Sequence, residues 1–194
     1  MTTGWQKENL WESAPVVPDD FHDPGRRIPV TVVGAHGGAG TSTVARLIGA
    51  ADLGRSWPQP ADGQPPRVLV VARTHAAGLM AVSQVLAGCF AAGCPEGTYL
   101  AGVVLVADAP GRLPKPLARR VTVLASAVMM YRIPWVNAWR LLEVAADPAT
   151  VARLATGLRR FAEQAALAST PSLPGNTGGF TCSSTSSSSR SITF

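Results

Sequence analysis

No stretch of this 194-residue chain reaches about 18 uninterrupted apolar residues, the length a membrane-crossing helix needs. Near Met1 there is no apolar core of signal-peptide length either, so neither membrane spanning nor secretion is expected and a cytoplasmic location is the reading. Cysteines are scarce. Cys89, Cys94 and Cys182 make no CxxC pair and have no histidines at metal-ligand spacing, which argues against zinc and against a disulfide framework, and for a reducing compartment. Without a histidine base beside them, Cys89 and Cys94 read as helix or loop thiols and not as nucleophiles. Nor do like charges run five or six together. The net charge of +5 comes from scattered arginines such as Arg26, Arg67, Arg119, Arg153 and Arg159, a balance compatible with an acidic partner that names none. No repeat of fixed period is present, which excludes solenoids and propellers.

What is present is enough apolar material for one core: 46% of residues are hydrophobic and only 15% charged. Residues 1–28 mix acids, prolines and isolated tryptophans without periodicity and read as a flexible arm, in which Trp5 and Trp11 are candidates for surface docking. Residues 169–194, with the serine run 183–189, are too polar to fold alone and read as a disordered Ser-rich tail. Between them, residues 29–168 alternate short apolar runs with helix-like segments, the pattern of an α/β domain around a small, mainly parallel sheet. Four strands are expected, at Pro29–Val33, Arg67–Ala72, Leu100–Ala107 and Val128–Ile133. Helices are expected at Thr41–Ala51, Ala77–Ala92, Lys115–Ala125 and Pro148–Ala168, the last with Leu154, Leu158 and Phe161 on one face. The proline-rich interval Asp52–Pro66 is expected to be a long loop.

The chemistry concentrates at the first strand-to-helix turn, Val32-Val33-Gly34-Ala35-His36-Gly37-Gly38-Ala39-Gly40-Thr41-Ser42-Thr43. Glycines at 37, 38 and 40 permit positive φ, so that backbone N–H groups and the positive end of a helix can face one anion. Set against GxxxxGK[ST], the second glycine is Gly40, the lysine slot holds Thr41, and the magnesium-hydroxyl slot holds Ser42, followed by Thr43.

This loop resembles that of the ParA/MinD branch of P-loop ATPases, which reads KGGxGK[ST][ST], with His36 in place of the signature lysine and Thr41 in place of the second. A GGxGTST variant is similar to the loop of pilus-localisation relatives of the CpaE/TadZ kind. The resemblance runs over roughly Val30 to Arg140. It includes Arg67–Thr74 followed by Ala77-Gly78-Leu79, the strand Gly102–Asp108, and the Tyr131-Arg132-Ile133-Pro134-Trp135 stretch with its "IP" turn. It implies a three-layer αβα fold of the P-loop NTPase kind, ATP or ADP held by Gly37, Gly38, Ala39, Gly40, Thr41, Ser42 and Thr43, magnesium at Ser42, and a homodimer that sandwiches nucleotide. It also implies kinship with small P-loop proteins of high-GC bacteria, often associated with plasmids or mobile elements.

Departures from the family pattern carry the functional reading. Both lysines are gone, and the interval where the family's switch I and Walker B-type aspartates would fall holds only Asp52 and Asp62, neither placed after an apolar strand. Most of the electrostatic stabilisation of phosphoryl transfer is then missing, and hydrolysis is expected to be very slow or absent.

Each candidate also has a plainer reading. The loop is either an anion site or a turn kept for packing; His36 is a titratable charge or a loop histidine; Ser42 and Thr43 are ligands or first-turn residues. Asp108 reads a base edge or caps its turn, while Arg73 and Arg112, just past two strand ends, supply replacement charge or lie on the surface. Trp135 and Trp139, four apart at the start of a helix, pack in the core or face a partner. Three functions follow: an adaptor or positioning factor with an unidentified protein partner and little or no ATP hydrolysis; an ATPase with Arg73 or Arg112 as the cation; or a DNA-partition or conjugation accessory making non-specific DNA contact.

Overall fold

The computed structural model describes residues 28–137, Trp139 and 148–168. The expected arm, apart from Ile28, and the serine-rich tail lie outside the described residues, as does Arg140. Five strands build one sheet: β1 (Thr31–Gly34), β2 (Ala51–Asp52), β3 (Arg67–Arg73), β4 (Tyr99–Val106) and β5 (Met130–Ile133). Their order is β2-β1-β3-β4-β5 and every neighbouring pair is parallel. Among the described residues the helices are α1 (Thr41–Ile48), α2 (Ala76–Ala92), α3 (Lys115–Ala127) and α4 (Pro148–Leu167), and Trp139 is helical as well.

A parallel sheet covered on both faces needs strands that are apolar throughout, and the central strands are built that way. In β3 the five residues Val68–Ala72 are all buried, and in β4 the six residues Ala101–Val106 are. Alternating side chains feed two separate cores. One face sets Val32, Leu69, Val71 and Val104 against α1 and α4; the other sets Val33, Val70, Val103 and Leu105 against α2 and α3. The result is the expected α/β fold in three αβα layers. The stripe Val151, Ala155, Leu158, Phe161, Ala162 and Ala165 is the buried face of α4, at the spacing of a helix with one apolar side. Each fully buried Leu or Phe contributes about 1.5–3 kcal/mol of transfer free energy.

The interval expected to be a loop is more ordered than its prolines suggest. It opens with β2, paired to β1 through Thr31–Ala51 and Val32–Asp52, and includes a 3-10 turn at Pro60–Asp62. The sheet therefore has five strands and not four. β2 is held by backbone pairing at an edge, with both side chains exposed, so it leaves no hydrophobic signature. The helix expected to run to Ala51 stops at Ile48, because Gly49 takes a left-handed conformation (φ 68°) and turns the chain into β2.

Candidate functional site

Strand order fixes where a ligand site can form. The chain leaves β1 through α1 on one face and leaves β3 through α2 on the opposite face, so the connections diverge above the carboxyl ends of these adjacent strands. Open α/β sheets bind ligands in the crevice at such a switch point. Two strand-to-helix turns border it: the glycine loop 35–40 and the Arg73–His75 turn.

The glycine loop is anchored at its base. Gly34 N–H donates to Gly54 O (2.6 Å) and Ala35 N–H to Val71 O (2.8 Å), tying the loop's entry to the chain after β2 and to β3. Gly38 (φ 71°) and Gly40 (φ 95°) both lie in the left-handed region, where a side chain is strained. Gly40 is the N-cap of α1 and offers no side-chain cap. As a consequence, no described residue accepts a hydrogen bond from the amides of Thr41, Ser42 or Thr43. Those are the donors a helix start leaves over, and here they remain for a ligand. A Cβ placed on Gly37 or Gly38 would meet nothing within 4 Å, so the loop's outer side is open. Thr41 Oγ1 turns instead toward the sheet, lying 2.6 Å from where a Gly34 Cβ would sit.

His36 does not stand over the loop as a cation. Its Nε2 accepts the Arg73 N–H (3.0 Å) while its Nδ1 lies 2.8 Å from Gly37 O. One ring nitrogen accepting and the other facing a carbonyl is the pattern of a neutral imidazole protonated on Nδ1. The ring thereby bolts the glycine loop to the end of β3. It also packs at 5.2 Å, centroid to centroid, against His75. His75 caps α2, its Nδ1 accepting the Gly78 N–H at 3.0 Å. Gly78 is glycine for lack of room: a Cβ there would run into the Arg73 carbonyl oxygen and lie 2.9 Å from His36 Nε2. These links across 37 to 42 residues of sequence have no local signal, and His75 and Gly78 were not separable from an ordinary helix start.

Arg73, by contrast, reaches the loop. Its Nε donates to Gly38 O (3.2 Å) and its Nη1 to Ala107 O (3.2 Å), bracing the glycine loop against the end of β4. Arg112 is exposed and does not border the open 420 Å³ depression above β4 and β5, whereas Arg132 does. Asp108 sits half-buried just past β4, with its own N–H donating to the buried Thr74 hydroxyl (3.0 Å), which places it in the turn. Asp52 ends β2, so it does follow a strand, but its Oδ1 accepts the Gly54 N–H (2.9 Å) in an exposed turn. Ser42 is exposed and Thr43 half-buried. Trp135 lies before any helical backbone; with the half-buried Trp139 it lines a cleft of about 90 Å³ beside Gly40 and Thr43. That cleft is well below the roughly 300–1,000 Å³ of small-molecule sites.

Ligand fit follows from these positions. Phosphate oxygens match a run of helix-start amides that no described residue claims. A divalent cation is less well served: among the described residues no three His, Cys, Asp or Glu side chains gather, so magnesium would rely on the Ser42 hydroxyl and on phosphate oxygens.

A family model described as a family of unknown function, DUF6668, matches residues 29–157, a span that contains both turns and all five strands. No curated protein and no solved structure matches the chain.

Proposed function

The chain belongs to DUF6668, a family of unknown function, and from its own site we propose a ParA/MinD-related, nucleotide-binding-like protein whose glycine loop holds the phosphates of ATP or ADP with little or no hydrolysis. In this reading it works as an adaptor or positioning factor toward a protein partner. One observation carries it: α1 begins on a left-handed glycine at the sheet's switch point with its first-turn amides unclaimed by any described residue. Bare amide dipoles are sufficient to hold an anion. Bond cleavage asks more: a cation on the transferring phosphoryl group, and an acid that places metal and water. His36 is engaged as a neutral bolt, and the Asp52 carboxylate is engaged in its own turn at the sheet edge. Among the described residues Arg73 is a cation that reaches the loop, and its guanidinium donates to the carbonyls of Gly38 and Ala107.

Calorimetric titration of the full chain with ATP and with ADP tests the proposal, with Gly40→Val as control and circular dichroism to show that the variant is folded. The expected result is weak, saturable binding of both nucleotides, competed by inorganic pyrophosphate and lost in Gly40→Val, with phosphate release at background. Absence of binding removes the phosphate site. Steady release abolished by Ser42→Ala and Gly40→Val replaces the adaptor by an ATPase. The scattering mass with and without ATP and magnesium then decides whether nucleotide sets the oligomeric state; a monomer in both leaves no nucleotide switch.

A further inference from the structure

At the opposite end of the sheet the structure brings together two groups that the sequence spacing leaves apart. Cys89 lies in the last turn of α2, and Cys94 follows the helix after Gly93, whose positive φ (84°) turns the chain back on itself. Cys94 Sγ consequently lies 2.7 Å from Cys89 Sγ. Both are free thiols and both are half-buried. That separation is about 0.7 Å beyond a covalent S–S bond of about 2.05 Å, so closure asks for little movement at the end of the helix. The pair also lies on the wall of a cavity of about 750 Å³, bordered by the partly exposed Phe90, Tyr99 and Met129, which gives a small reagent a way in.

We propose that Cys89 and Cys94 form a thiol–disulfide site, oxidised by a low-molecular-weight disulfide of the glutathione type. The Cys94 thiolate attacks one sulfur of the reagent, giving a mixed disulfide and releasing one small thiolate. Cys89 then gives up its proton and attacks Cys94 Sγ, forming the Cys89–Cys94 bond and expelling the second small thiol. Two electrons leave the protein pair and reduce the reagent to two thiols, so the exchange balances. The order follows from environment. Burial, then the hydrogen bond and charge of Cys94, push the Cys89 thiol up to about 12, which makes it the slower nucleophile and suits it to the resolving step.

The test uses the full-length protein, oxidised glutathione, alkylation of the remaining free thiols, and tryptic mass mapping. No lysine or arginine falls between Arg73 and Arg112, so the peptide 74–112 carries Cys89 and Cys94 and no other cysteine. Expected is loss of both alkylation sites on that peptide, with a mass two hydrogens below the reduced form, restored by dithiothreitol. Cys89→Ser should retain one stable glutathione adduct on Cys94, and Cys94→Ser should leave Cys89 largely unmodified over the same interval. Stable glutathione adducts on the wild-type peptide, a bond to Cys182 in place of the internal one, or two alkylated thiols after oxidation would each overturn the proposal.

Discussion

Two adjacent parallel strands, β1 and β3, each hand the chain to a helix at the same edge of the same sheet, and the two helix starts are finished in opposite ways. At α2 a side chain closes the start: His75 Nδ1 takes the Gly78 N–H and the His75 carbonyl takes the Leu79 N–H. At α1 the Gly40 carbonyl takes the Val44 N–H in the same way, but Gly40 has no side chain to offer, and the amides of Thr41, Ser42 and Thr43 are left unclaimed by the described residues. A glycine N-cap gives up only about a few tenths of a kcal/mol against a capping side chain, so leaving the start of α1 bare at a switch point costs little. The difference sets a turn closed by its own side chain against a turn whose first amides the described residues leave unclaimed.

The largest effect should come from disturbing the closed turn. Gly78→Val places a side chain against the Arg73 carbonyl and His36, and is expected to cost about 2–4 kcal/mol in urea unfolding. Gly37→Ala in the open loop meets nothing within 4 Å and needs no positive φ, so it should stay within about 0.5 kcal/mol. Equal costs at the two glycines would dissolve the contrast.

Next comes the bolt between the turns. His36→Lys restores the charge of the signature lysine but cannot accept the Arg73 N–H, and should lose about 1–2 kcal/mol without gaining phosphate release. Gln at the same position keeps both a donor and an acceptor and should recover part of the loss. A lysine variant of undiminished stability would mean that the imidazole bridge contributes nothing, and would reopen this position as a cation site.

Sequence reasoning saw the scaffold better than the site, for a physical reason. β3 and β4 announce themselves because burial on both faces demands consecutive apolar residues, and the glycines of the loop because few other residues tolerate positive φ. β2 stayed hidden because backbone pairing at an exposed edge asks nothing of side chains such as Ala51 and Asp52. For His36 the sequence leaves a titratable charge and a plain loop histidine open and offers no acceptor role, since that role is set by an amide 37 positions away. Cys89 and Cys94 were read separately because their contact depends on the left-handed turn at Gly93, and a five-residue spacing alone does not bring two side chains together.

A smaller loss is expected from uncapping α2. His75→Ala removes the acceptor for Gly78 N–H and should cost about 1 kcal/mol. If phosphate binds at α1 as proposed, inorganic phosphate should raise Tm by the same amount in this variant as in the wild type. A phosphate effect that vanishes with His75 would assign the anion to the wrong helix.

The smallest change is the most discriminating. Ser42 is exposed on the first turn of α1 and its hydroxyl has no hydrogen bond to a described residue, so Ser42→Ala should shift stability by no more than about 0.5 kcal/mol. Its effect on ATP affinity separates two roles for the same atom. Amides alone hold phosphate whether or not a cation is present, so affinity measured with a chelator should be indifferent to the substitution. A hydroxyl that also holds magnesium adds affinity only when the metal is supplied. Loss of ATP binding in Ser42→Ala confined to magnesium-containing buffer therefore makes the open turn a metal–nucleotide site, whereas equal affinities in both buffers leave it a site for the phosphate alone.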